Sequence, residues 1–194
     1  MAGTGSAERK GPSRLRDVVE WVAVVAVAVA VAVFVRAYVA EPFEIPTESM
    51  VDTIQVGDRV LGEKVSYLGS GPAAGDVVTF HDPEQPSTTL IKRVIATPGQ
   101  TVDIRDGAVY VDGERLDEPY TGGKPTEPIE GRHAAFLDGD VSYPLTLGED
   151  EYWVMGDNRT NSLDSRYFGP IRRDSVTSKA WFIFWPLNDV ALLG

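Results

Sequence analysis

Apolar residues fall into two regimes along this chain. Residues 21–35, WVAVVAVAVAVAVFV, run for fifteen positions without a polar side chain. The Ala/Val alternation imitates the two-residue period of a strand, but neither face is polar, so a half-buried strand does not fit. Fifteen residues are also fewer than the roughly 20 that a spanning helix needs. Val18, Val19 and residues 37–40 supply the missing length. The pattern therefore predicts a transmembrane anchor over 17–40, behind a polar, Gly-containing tail over 1–16. Glu20 and Arg36 fall near its two interfaces, where Arg36 can snorkel and Trp21 and Tyr38 serve as aromatic anchors.

From residue 41 onward the apolar runs shorten, alternate, and are bounded by Gly, Pro and Asp, which is the signature of strands. Strands are predicted at 60–61, 65–67, 76–80, 90–96, 101–105, 108–111, 114–116, 151–155 and 180–185. Asp106-Gly107 and Asp112-Gly113 read as hairpin turns. The 180–185 run, nearly all apolar, is expected at the centre of a sheet. Residues 117–150 are rich in Pro, Gly and charge without a clear period, and read as a long excursion with one hairpin over 133–141. Strands do not alternate with helices as a parallel sheet requires. The predicted fold is all-β and antiparallel, over 41–194, with one N-terminal transmembrane helix.

Charge sharpens the picture. The net charge is −11, but the first seventeen residues carry +2, leaving −13 on the rest. That balance argues against nucleic acid as a partner of the main domain. The basic cluster precedes the span, so the positive-inside rule puts the N-terminus in the cytoplasm and Glu41 onward outside a cell membrane. A cleavable signal peptide competes with the anchor, because the basic start and short apolar core also fit it. Tyr38 is too bulky for a cut after Ala40, although Val35-Arg36-Ala37 is more permissive. The uncleaved anchor is preferred because the candidate nucleophile follows so closely. Cysteine is absent, which excludes disulfide scaffolds and thiol catalysis.

The candidate chemistry starts at Ser49. Pro46 fixes its own φ and biases Ile45 towards an extended backbone, so Ser49 is expected on a stiff loop. A serine needs a base beside it. His81 and His133 are read as surface loop residues: Pro83 follows His81-Asp82 and no G-x-S-x-G elbow exists. Two histidines with scattered carboxylates make no metal-ligand spacing, so neither metal nor cofactor is expected. The better base is Lys92, inside Leu90-Ile91-Lys92-Arg93-Val94-Ile95. Strand alternation sends Lys92 to the face of Leu90 and Val94 and leaves Arg93 on the other face, in water. An apolar setting disfavours the ammonium and yields a usable amine.

Four segments, in order after one anchor, resemble the bacterial type I signal peptidases, membrane-anchored Ser/Lys proteases. They are Pro46-Thr47-Glu48-Ser49-Met50-Val51-Asp52-Thr53-Ile54, Val56-Gly57-Asp58-Arg59-Val60, Ile91-Lys92-Arg93-Val94-Ile95-Ala96-Thr97-Pro98-Gly99, and the run from Met155-Gly156-Asp157-Asn158-Arg159 through Ser162-Leu163-Asp164-Ser165-Arg166 to Gly169. The resemblance implies Ser49 as nucleophile and Lys92 as general base. Thr47 would join the Ser49 backbone N–H in an oxyanion hole, and Ser162 would hydrogen-bond and orient the lysine. Asp164 and Arg166 would form a supporting ion pair, while Asp157, Asn158 and Arg159 hold the turn that presents Ser162. Met50 would sit beside the nucleophile at the lipid-facing edge. The implied substrates are signal-peptide-bearing preproteins with small residues at the first and third positions before the cut, met at membrane lipid near the export machinery. Glu48, and Asp52-Thr53-Ile54 where Pro-Thr-Leu is common, depart from the family pattern. Both add negative charge near Ser49, which is expected to stabilise the lysine ammonium. The alternatives are a catalytically silent, membrane-tethered β-domain that binds exported chains, and a self-cleaving Ser/Lys protease of the repressor type.

Overall fold

The structure is a computed structural model and describes residues 14–129 and 140–193. His133, most of the hairpin expected over 133–141, and residues 1–13 of the expected tail lie outside the described residues. The chain divides into two units, Met1–Tyr38 and Val39–Gly194. The first contains α1, Arg14–Tyr38, which is long and apolar enough to cross a membrane. Asp17 lies in its first turn and Arg36 in its last, the arrangement that complements the helix dipole. The helix already includes Arg14 to Arg16. It ends before residue 40, because the Val39 carbonyl accepts from the Lys64 N–H at 2.8 Å and Ala40 opens the first strand.

The second unit is antiparallel throughout its described pairings. In chain order its strands are β1 (Ala40–Glu44), β2 (Arg59–Glu63), β3 (Val77–His81), β4 (Thr89–Ala96), β5 (Thr101–Arg105) and β6 (Ala108–Val111). They continue with β7 (Glu114–Arg115), β8 (Leu145–Thr146), β9 (Glu151–Met155), β10 (Ile171–Arg172), β11 (Val176–Trp185) and β12 (Ala191–Leu192). The larger sheet has the order β1-β2-β11-β3-β4-β9-β10, with β12 added on β11. The smaller sheet has the order β7-β6-β5-β8.

Three apolar clusters hold this unit together. Val102, Ile104, Val109 and Val111 of the small sheet pack on Ile95, Trp153 and Met155, joining the two sheets. Met50, Ile54, Val60, Val77, Ile91 and Ile183 form a second cluster, and Val78, Phe80, Val94, Val154, Phe168 and Ile171 a third.

Most predicted strands are present, and both predicted turns form. Asp106, Gly107, Asp112 and Gly113 all have positive φ, at 52°, 71°, 52° and 84°, the combination that two-residue hairpins demand. The strand expected at 65–67 is instead a 3₁₀ turn, Ser66–Leu68. The Glu63 carboxylate accepts from the N–H groups of Val65 and Ser66 at 3.0 and 3.1 Å, which satisfies donors that a ladder would otherwise use. The short strands β1, β8, β10 and β12 had too little pattern to be predicted. β11 does lie inside the sheet, between β2 and β3, but Trp181 and Trp185 remain half exposed.

The pairing of β1 with β2 positions the site. Their register runs from Ala40↔Glu63 to Glu44↔Arg59, and the connection between them carries Ser49. Ile45 N–H donates to the Asp58 carbonyl at 2.9 Å and Gly57 N–H to the Ile45 carbonyl at 2.8 Å, closing the neck of the loop. Met50 and Ile54, wholly buried, anchor its interior. Met50 is thus a core residue. The expected lipid-facing edge is wrong, because the one-turn helix that exposes Ser49 to its partner turns the next side chain into the second cluster.

Candidate active site

Ser49 occupies the middle of the 3₁₀ turn Glu48–Met50, and Thr47 before it is extended. Lys92 lies in the middle of β4, directly opposite Val78 of β3. Only 3% of Lys92 is exposed. Its Nζ donates to Ser49 Oγ at 2.7 Å and to the Ile91 carbonyl at 2.8 Å. Burial pushes the Lys92 ammonium down from 10.5 to about 8, against the opposing pull of Asp164, Asp157 and Asp82. A substantial fraction is therefore neutral near physiological pH, and the same contact then reverses, with the serine hydroxyl donating to the amine lone pair. Thr47 Oγ1 stands 3.5 Å from Ser49 Oγ.

A cleft of about 560 Å³ opens over this pair. Pro46, Val56, Leu90 and Leu163 form its apolar walls, with Glu48 and Asn161 at the rim. A second groove of about 550 Å³ lies on the small sheet beside Arg115, Asp117 and Lys124. It contains no serine or lysine–hydroxyl pair comparable to Ser49 and Lys92, so its size alone gives it no chemistry.

The fourth sequence segment forms the floor beneath Ser49. Asn158 N–H donates to the Ser49 carbonyl at 3.1 Å, and Asn158 Nδ2 to the Glu48 carbonyl at 3.0 Å. Gly156 is needed for close approach: a Cβ there would collide with the Ser49 carbonyl oxygen and with Ser162 Oγ. Asp164 and Arg166 form a buried, two-pronged pair, with Nε and Nη2 at 2.9 Å from the two carboxylate oxygens. Asp164 also caps the short helix α2, Ser165–Phe168, and accepts from the Gly156 N–H at 3.1 Å.

Several expectations need correction. Arg93 is not in water; only 7% is exposed, and its Nε and Nη2 meet both Asp157 oxygens at 2.9 and 2.7 Å. The other face of β4 is covered as well, so this arginine requires an internal counterion. Asp157 accepts a third bond, from Thr53 Oγ1 at 2.6 Å, and so ties the Ser49 loop to β4. Among the described residues, Ser162 Oγ is buried without a hydrogen-bond partner, and the expected bond to Lys92 is not made. The lysine nitrogen is directed to Ser49 and Ile91 instead, while Ser162 packs on Gly156.

The charges expected to oppose the base are also misassigned. Glu48 meets Asn161 Nδ2 at 3.2 Å and Asp52 meets Lys124 at 3.4 Å, and neither is among the carboxylates acting on Lys92. His81 is exposed at the end of β3, on a strand and not in a loop. Thr53, Arg93 and Gly156 lie within the motifs, and the residue pattern marks none of them as part of the site. Their only signal was inclusion in those motifs.

Comparisons with known proteins identify the family. The family described as signal peptidase, peptidase S26, matches residues 18–185. The chain is 35% identical over 191 residues to signal peptidase I of Leptolyngbya laminosa, covering 94% of this chain and 87% of that one. It is 37% identical to the probable signal peptidase I-1 of Synechocystis sp., covering 94% and 90% of the two chains. It is 34% identical to signal peptidase I of Bacillus licheniformis, covering 94% and 97%. A crystal structure of a signal peptidase I from Enterococcus faecalis, 32% identical, superposes with a TM-score of 0.46 over 56% of this chain and 95% of that one. The chain therefore belongs to peptidase family S26, the signal peptidases.

Proposed function

We propose that this protein is a membrane-anchored serine endopeptidase that removes signal peptides from exported preproteins, after Ala-x-Ala-type sites, with Ser49 and Lys92 as its dyad. The observation that carries the proposal is the 2.7 Å contact between Ser49 Oγ and a lysine nitrogen buried deeply enough to lose its proton near pH 8.

In this mechanism the neutral Lys92 amine takes the Ser49 proton as Oγ attacks the scissile carbonyl. The developing oxyanion is received by the Ser49 backbone N–H and the Thr47 hydroxyl; losing one such donor typically costs about 2.7–4 kcal/mol of transition-state stabilisation. The Lys92 ammonium then donates to the leaving amine, so one residue performs both proton transfers that a histidine performs elsewhere. Water activated by the same amine releases the acyl group. Asp164 and Arg166 act as structural support, and Asp157 holds the Ser49 loop against β4.

The substrate lies extended along the cleft, adding main-chain hydrogen bonds in the manner of a strand. Pro46, Leu90 and Leu163 line the cleft that would receive the side chains next to the cut. Preproteins reach the site while embedded in the same membrane as α1, which raises their local concentration. The basic residues ahead of the apolar run put the N-terminus in the cytoplasm and the β unit outside, in contact with the export machinery. The exposed Trp181, Trp185, Leu187 and Leu192 offer an apolar surface to membrane lipid.

Incubating the detergent-solubilised full chain with a preprotein bearing an Ala-x-Ala site tests the proposal. A mature product beginning just after the second Ala is expected, and Ser49→Ala should produce none. Equal processing by Ser49→Ala would overturn the assignment.

A further inference from the structure

We propose that Glu118 and Tyr120, at the 3₁₀ turn Pro119–Thr121 after β7, are positioning residues for Ser49 that act through Arg159 and Arg93. This rests on the assignment of Ser49 as the nucleophile. Neither residue lies in any of the four motifs, and neither touches Ser49.

The connection begins with Glu118. Arg159, wholly buried at its side chain, directs Nη1 and Nη2 to the two Glu118 oxygens at 3.0 and 2.5 Å. Its Nη1 also reaches Thr126 Oγ1 at 2.7 Å. Its third nitrogen, Nε, donates to the Gly156 carbonyl at 3.0 Å. Gly156 is held from its other side by Asp164. Its Cα is the surface on which the Ser49 carbonyl rests, and Asn158, next to Arg159 in sequence, donates its N–H to that carbonyl. The Glu118 carboxylate thus fixes a guanidinium, which fixes a peptide, on which the nucleophile's own backbone sits.

Tyr120 makes a second connection. Its hydroxyl donates to Glu118 Oε1 at 3.0 Å, and its ring lies 4.2 Å from the Arg93 guanidinium carbon and 5.9 Å from that of Arg159. Arg93 holds Asp157, and Asp157 holds Thr53 in the Ser49 loop. One short segment therefore braces the loop at two points, the Ser49 carbonyl and Thr53. A guanidinium is suited to this because its planar fork fixes direction as well as distance. A misplacement of about 1 Å at a reacting atom can cost about a hundredfold in rate.

A merely structural role for Glu118, as the counterion of a buried arginine, would change stability and leave turnover per folded molecule intact. The two roles separate in the kinetics of the full chain on an Ala-x-Ala preprotein. Glu118→Gln should lower kcat about tenfold or more, with KM and the pH midpoint of kcat unchanged, since Glu118 is not among the carboxylates acting on Lys92. Tyr120→Phe, which removes only the phenol hydroxyl, should lower kcat in the same direction by a smaller factor, and it serves if Glu118→Gln fails to fold. Folding is followed by thermal melting. Unchanged kcat in the folded variants would overturn the inference, as would a shifted pH midpoint or a change confined to KM. If the wild-type chain processes the preprotein and Ser49→Ala does not, such a result counts against the bracing role alone. A wild-type chain without activity would remove the functional reading and this inference with it.

Discussion

Lys92 and Arg93 leave β4 on opposite faces, and both end buried, at 3% and 7% exposure. They meet opposite fates. Arg93 keeps its charge because Asp157 neutralises it through two hydrogen bonds. Lys92 has a hydroxyl and a carbonyl for partners and no carboxylate in contact, so burial lowers its pKa to about 8. The sheet thus sets two cations side by side and weakens the hold on the proton of only one.

Lys92→Met should abolish cleavage while raising thermal stability at neutral pH. The folded value of about 8 lies below the ordinary 10.5, so the native state is penalised for holding the proton. That penalty is full below about 8 and disappears as pH rises through 10.5. The difference corresponds to about 3 kcal/mol. Melting curves of both proteins across this range should therefore converge at high pH. Lys92→Arg should also be inactive, because a guanidinium does not release its proton; an active Lys92→Arg enzyme would refute the dyad.

The rate should climb with pH and level off above about 8 as Lys92 deprotonates. Asp164 is the first of the carboxylates that hold the lysine value up. Asp164→Asn should move the midpoint of the rise to lower pH in whatever fraction remains folded. A kcat profile measured over this range decides it, and an upward shift would contradict the electrostatics.

Arg166→Ala leaves Asp164 buried without its partner. Breaking a buried pair in this way costs about 3–5 kcal/mol, which should lower Tm by roughly 6–20 °C at about 2–4 °C per kcal/mol. Unchanged melting with lost activity would make Arg166 a direct participant in the chemistry.

Thr53→Val removes the 2.6 Å bond to Asp157 but leaves the Arg93 pair intact. A hydrogen bond to a charged group contributes about 1.5–3 kcal/mol, measurable by urea denaturation. Turnover should fall as well, because the Ser49 loop loses one of its ties.

Substrate choice gives a separate test. Replacing the Ala just before the cut by a bulky residue should stop processing. Equal cleavage of the two preproteins would sink the signal-peptide reading of the cleft.

What the amino-acid sequence determined by itself was local. Fifteen unbroken apolar residues marked α1, and Asp-Gly pairs marked the two hairpin turns where φ is positive. The alternation through 90–96 turned Lys92 towards Val94, and the motif order brought Ser49, Lys92, Thr47, Asp164 and Arg166 to notice. These features depend on backbone period and residue type over a few neighbouring positions. What only the tertiary structure decided was pairing across long separations. Arg93 meets Asp157 64 positions away, and Arg159 meets Glu118 41 positions away. Alternation can assign Arg93 to a face but cannot say what covers that face, and so it left a buried guanidinium in water. The resemblance likewise places Met50 beside Ser49 without showing the apolar cluster that buries it. A carboxylate near Ser49 in sequence, such as Glu48 or Asp52, points to solvent or another partner, while Asp157 and Asp164, more than 100 positions on, set the charge around Lys92. Electrostatic interactions and packing follow distance through space, and in an antiparallel sheet with order β1-β2-β11-β3-β4-β9-β10 that distance is set by which strands are neighbours.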